Sequence, residues 1–289
     1  MKSFLKIGLT VSILGGGGLL TSFSAQAAAM LDTTTATPDD GILQNFTGID
    51  WHSNGAGWVQ GFDLDDTNLA GDTDTFTLTY QAFAASINTT SPTPNLSVAP
   101  PGPGGGSYEL TTYAVITETA TCNNDGCSSI TITLDSGTWD IFFDTSPDTD
   151  QAAGTGFLNG TNILSGTWDS GFTTFGATAP IPGGTGTGGG FLVGTVTSTN
   201  NSFVNPDLVG TELQASLQFP GQSAPDYTRP AAFGGAATGA DTSTDFVLQT
   251  DTSQNFSVSV PEPNSVALVA IGLLGLSGLT RRRAKQSNR

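Results

Sequence analysis

Four groups of residues in this chain could do chemistry, and each narrows what that chemistry is. The single histidine, His52, lies in Asp50-Trp51-His52-Ser53-Asn54-Gly55. Any serine-based triad would depend on this one ring, and zinc catalysis usually wants two or three histidines. Its setting is that of a polar turn, so no catalytic residue is assigned and the chain is expected not to be an enzyme. Carboxylates are numerous enough for a two-acid glycoside hydrolase. Yet Glu109, Glu118 and Glu212 are the only glutamates ahead of Glu262, and no spacing pairs them. A hydrolase is therefore the most distant reading.

Aspartates gather as Asp63, Asp65 and Asp66, then Asp72 and Asp74, then Asp144, Asp148 and Asp150. Calcium takes six to eight oxygens from carboxylates and loop carbonyls. The loop holding Asp144, Asp148 and Asp150 is the candidate that could supply some of them. It does not match the D-x-[DN]-x-[DN]-G loop, and acidic turns with local side-chain bonding are the plainer explanation. No cofactor is assigned beyond that calcium candidate. Cys122-Asn123-Asn124-Asp125-Gly126-Cys127 sets two thiols around turn-forming residues. With no second pair to hold a metal and no C-x-x-C spacing for redox work, the pair reads as a disulfide across a hairpin. Trp51, Trp58, Trp139 and Trp168 are the aromatic groups on which a glycan could stack.

Something must position these residues, and the pattern between them is that of strands. Asp74 to Ile87 alternates Phe76, Leu78 and Tyr80 with Thr75, Thr77 and Thr79, a period of two in residues that favour pleated structure. Tyr108–Thr119, Ile130–Leu134, Trp139–Phe143, Phe191–Thr197, Leu213–Phe219, Phe246–Gln249 and Phe256–Val258 behave similarly, separated by Gly, Pro, Asn and Asp clusters. No helix-length apolar stripe occurs away from the termini. The expected fold is all-β, an antiparallel β-sandwich or jelly-roll-like body. Two Gly- and Pro-rich stretches, Pro92–Gly106 and Pro180–Gly190, read as long loops within one domain. Ser136-Gly137-Thr138-Trp139-Asp140 recurs as Ser165-Gly166-Thr167-Trp168-Asp169. Two copies do not make an array, and duplicated turn chemistry or chance is the expected cause. Trp139 and Trp168 are then packing residues before they are a sugar platform.

Charge excludes one class of partner. Between Met30 and Val260 a single cation, Arg229, stands against 24 acids, a formal charge of −23. Such a body repels phosphate backbones, so nucleic acid is not a partner. It attracts divalent cations.

The remaining cations mark the two ends. Lys2 and Lys6, the apolar run Ile7–Leu20 and Ala25-Gln26-Ala27 form the three parts of a secretory signal over residues 1–27, with cleavage after Ala27. At the other end Pro261-Glu262-Pro263 precedes an apolar segment, 265–280, and then Arg281-Arg282-Arg283 within a basic tail, 281–289. Two prolines keep the tripeptide extended. A helix over that segment would be about 24 Å long, short of a ~30 Å hydrocarbon core, which suits a transient anchor. The three arginines resist translocation, so export stalls with the body, 28–259, outside the membrane.

This end, 260–289, resembles the PEP-CTERM sorting signal of Gram-negative bacteria and cyanobacteria. The resemblance implies recognition by an exosortase-type transpeptidase, cutting near Pro261-Glu262-Pro263, and passage from the inner membrane to the cell surface or extracellular matrix. It points to a structural or adhesive role in an exopolysaccharide-associated biofilm or floc, with exopolysaccharide and divalent cations as neighbours. The alternative is a carbohydrate-binding, lectin-like surface module.

Overall fold

The structure is a computed structural model that describes residues 29–32, 43–63, 69–89, 96–97, 108–177, 186–219, 229–233 and 244–257. The secretory signal and the sorting signal, with Pro261, Glu262, Pro263 and Arg281 to Arg283, lie outside the described residues. Fourteen strands are present among those described: β1 (Ala29–Asp32), β2 (Leu43–Phe46), β3 (Gly48–Trp51), β4 (Ala56–Gln60), β5 (Thr73–Asn88), β6 (Leu96–Ser97), β7 (Glu109–Cys122), β8 (Ser129–Asp144), β9 (Thr161–Ala177), β10 (Gly186–Thr199), β11 (Val204–Asn205), β12 (Glu212–Phe219), β13 (Phe246–Gln249) and β14 (Asp251–Ser257).

The all-β antiparallel expectation holds. What the structure adds is closure. β3 and β4 occupy successive lengths of one edge of β5, and β13 and β14 pair with them in turn. Counted as two broken staves, they join β5, β7, β8, β9, β10 and β12 in a meander of eight staves. The β5–β7 pairing runs from Thr73↔Thr121 to Phe83↔Thr111, so the sheet meets itself and forms a barrel. Closure removes the open edges that would otherwise template aggregation. A second sheet, β11-β1-β2, contributes Ala29, Leu31, Phe46 and Val204 to the same apolar core. Phe46 meets Phe256 edge-on at 5.5 Å.

The alternation read from the sequence decides which way the wall faces. Phe76, Leu78 and Tyr80 of β5 point inward and are buried, while Thr73, Thr75 and Thr77 look outward. Across the strands the outward threonines fall in rows, Thr75↔Thr119↔Thr133 and Thr73↔Thr121↔Thr131, and the Thr75 and Thr119 hydroxyls lie 3.1 Å apart. An apolar interior behind a polar wall is the reverse of a membrane-spanning barrel.

The repeated pentapeptide is not turn chemistry. Its copies lie mid-strand on adjacent staves and cross antiparallel, with Gly137↔Trp168, Thr138↔Thr167 and Trp139↔Gly166 in register. Each tryptophan therefore packs over the glycine of the other copy. A Cβ on Gly166 would stand 2.3 Å from the Trp139 ring, and one on Gly137 would stand 2.9 Å from that of Trp168. The two rings sit 6.0 Å apart, and Trp139 Nε1 donates to the Thr167 carbonyl at 3.3 Å. Ile130–Leu134 and Trp139–Phe143, expected as separate strands, are one strand with Asp135 as an extra residue opposite β7. The stretch Pro180–Gly190 is not wholly a loop either. Gly186 to Gly190 belong to β10, where bare backbone lets the Phe175 ring lie against Gly186 and Gly188.

Candidate functional site

Two places could hold a ligand, inside the barrel or against its outer wall, and volume decides between them. Inside, Trp51, Trp139, Phe256, Ile116 and Ile141 fill the space with side chains at most 2% exposed. A void among the described residues there, lined by Tyr80, Trp168, Leu192 and Gln254 among others, measures about 10 Å³. That is room for a single water. Thr250 Oγ1, Gln254 Oε1 and Trp168 Nε1 border it without a protein partner. No larger ligand fits that void.

The outer wall differs because a flap covers part of it. The β8–β9 connection, residues 145–160, folds back across β5 and β7. Thr111 Oγ1 donates to the Phe157 carbonyl at 2.8 Å, and Gln151 Nε2 donates to the Asn54 carbonyl at 2.8 Å. Residues 229–233 then lie along the flap, with Ala231 and Ala232 N–H donating to the carbonyls of Ala152 and Ala153. Between wall and flap runs a groove of about 490 Å³. Trp58 and its partner Thr79 form one part of its floor, Gln81 and its partner Tyr113 the next. Phe233 stacks on Trp58 with centroids 5.5 Å apart.

The base of the flap carries the acidic cluster. Glu109, Asp144 and Asp148 each offer a carboxylate oxygen, and these lie within 4.8 Å of one another. Glu109 faces Asp144 across β7–β8 and is buried. Its oxygens accept the Asp148 and Thr149 N–H groups at 3.3 and 3.4 Å. Burial pushes the Glu109 carboxyl up, against hydrogen bonds from Thr149 and Asp148 that pull it down. Asp144 also caps Ser146 N–H at 2.7 Å, and both Asp148 oxygens accept Asn159 Nδ2 at 2.9 Å. The expected third ligand, Asp150, is not in this group, since its Oδ1 accepts Ala153 N–H at 3.0 Å and closes its own turn. Glu109 takes its place. Nothing near Asp144 in the chain signals Glu109, because strand register alone brings the two together. Oxygen-only donors of this kind suit a hard cation.

The remaining candidates occupy structural positions. Cys122 and Cys127 are joined by a disulfide that ties the end of β7 to the turn before β8, where Gly126 and Cys127 take positive φ. His52 lies where β3 gives way to β4. Its ring stacks on Phe83 at 4.6 Å, and Nδ1 accepts Asn54 N–H at 3.1 Å. A lectin site on Trp51, Trp139 or Trp168 is overturned by burial, for all three are at most 5% exposed. Of the four tryptophans Trp58 alone is half-buried and reaches the groove.

The described body is an all-β barrel with an apolar interior. Residues 259–283 match the PEP-CTERM protein-sorting motif, so the chain carries that sorting signal at this end. The motif implies export, exosortase processing and a transient C-terminal membrane anchor before the cell surface. No curated protein and no solved structure matches the chain.

Proposed function

We propose that the exported barrel is a non-enzymatic structural or adhesive component of an extracellular matrix, held among exopolysaccharide and divalent cations in a biofilm or floc. The signal up to Ala27 and the tail beyond Pro263 are removed on the way. The observation that carries this reading is the division of the barrel. Its interior is occupied by its own side chains, so what it offers a partner is its outer surface. That surface carries rows of threonine hydroxyls and many carboxylates, interrupted by the exposed pair Phe172 and Phe191, on a body of charge −23. Carboxylates spaced around such a body favour bridging through divalent cations to other anionic chains. The Glu109–Asp144–Asp148 cluster is one place where a cation would sit.

The test compares cells making the full chain with cells making a chain that stops at Val258. Full-length product is expected in the matrix with its tail missing by mass spectrometry, and the shortened form is expected to be lost from the surface. Cell aggregation should fall with the shortened form, and chelation of calcium should disperse the aggregates. Equal aggregation with and without the protein would remove the matrix role.

A further inference from the structure

We infer that the groove between the barrel wall and its flap binds a short stretch of neutral saccharide. The inference goes beyond the matrix role, and each can fail without the other. Three properties of the groove select this ligand class. The first is aromatic surface. Trp58 and Tyr113 are half-buried rather than enclosed, and Phe233 backs the Trp58 ring. Flat aromatic surface with a polar edge suits a ring that has an apolar C–H face and polar rim.

The second property is a set of donors without acceptors. Gln81 is 2% exposed, and its Nε2 has no hydrogen-bond partner; Trp58 Nε1 has none either. Buried donors are normally satisfied. Two of them at one groove call for a ligand carrying oxygen acceptors, which hydroxyl and ring-ether oxygens supply. Thr155 and Asn159 add exposed polar groups along the flap side.

The third is charge. The described lining contains no acid or base, and Arg229, the one cation of the body, is not among those lining residues. The field of the surrounding body, −23 overall, opposes an anionic sugar. An apolar peptide is a poorer match, since it leaves the Gln81 amide unanswered wherever side chains rather than carbonyls face it. The volume, about 490 Å³, lies within the roughly 300–1,000 Å³ of small-molecule sites. That size corresponds to part of a chain rather than a long polymer track.

The experiment uses the secreted protein and measures tryptophan fluorescence and calorimetric binding. The probes are cellohexaose, maltohexaose, mannohexaose and chitohexaose, with oligogalacturonate as the anionic control. At least one neutral hexaose should bind and shift the emission, and oligogalacturonate should not bind. Trp58→Ala should weaken that binding by at least about tenfold. Because Trp58→Ala also removes the stacking on Phe233, Thr155→Trp provides a second arm. This position is exposed at the rim, and a bulky ring there should block the groove while thermal unfolding stays as in the parent. If no neutral hexaose binds, if binding survives both substitutions, or if oligogalacturonate binds as well as the neutral sugars, the inference is wrong. Surface retention and aggregation of cells do not enter this readout, so it stays separate from the test of the matrix role.

Discussion

Trp139 and Trp58 stand on the same closed sheet, and what faces them sets them apart. Trp139 points into the barrel, where Gly166 on the next stave gives up its side chain to admit the ring. Trp58 points outward from β4, where Thr79 lies beside it and the flap stops short of covering it. One ring is a structural member at 1% exposure, and the other remains partly open to a ligand. The comparison shows that an aromatic residue in a strand protein takes its role from the residue opposite. A glycine opposite encloses the inward ring, while the outward ring, with Thr79 beside it and Phe233 stacked on it, stays half-buried at the groove.

Substitution should separate the two most strongly. Trp139→Ala is expected to cost about 4 kcal/mol, in the range for removing a large buried aromatic, whereas Trp58→Ala should cost about 1 kcal/mol, nearer the usual range for single substitutions. Denaturant unfolding of the two variants side by side measures the difference. Equal losses would mean that the outer ring is as much a part of the core as the inner one.

The next effect concerns an acid that shares the inner face. Glu118 pairs with Phe76 on one side and Leu134 on the other and is 5% exposed. Burial, with the nearby Asp135 charge, lifts its carboxyl from the ordinary 4.5 to about 8. The folded state therefore keeps a proton that the unfolded chain releases over this interval. Stability should be greatest below the unfolded value, fall as pH rises toward 8, and flatten above it. The loss should amount to a few kcal/mol. Glu118→Gln should remove that slope and leave the variant more stable than the parent at pH 9. A parent whose unfolding midpoint does not fall between pH 5 and 8 would place Glu118 in water rather than in the core.

Smaller again is the effect of the glycine that admits Trp139. Gly166→Ala should cost about 2 kcal/mol through overpacking. Most of that cost should vanish in a background carrying Trp139→Leu, because the two positions share one space. Additive losses would show that the strain comes from the Thr195 carbonyl, which also lies 2.3 Å from a Cβ at this position.

Much of the frame was legible in the residues. Alternation in Asp74–Ile87 and Leu213–Phe219 located β5 and β12 nearly to their ends, because one wet and one dry face impose a period of two whatever the sheet's final shape. β9 is missing from the strands read from the sequence, where only its Ser165–Asp169 stood out, as an echo of Ser136–Asp140. Its glycines and polar residues read as a turn, since the rings that make those glycines necessary sit on the neighbouring stave. The same limit applied to the acidic cluster. Asp144 and Asp148 were visible as a group, but Glu109 is separated from them by an entire strand and arrives only through pairing.

By itself, the sequence determined the chemistry that acts locally along the chain. Pro-Glu-Pro, an apolar stretch and three arginines form a sorting signal that can be read without any fold, because their linear order carries it. It also determined that the body is acidic and built of strands. Tertiary structure alone decided that the sheet closes, that large apolar side chains fill the described interior, and that Trp58 rather than its three counterparts reaches the groove. These depend on which residues face each other across strands far apart in the chain, a pairing that no local pattern specifies.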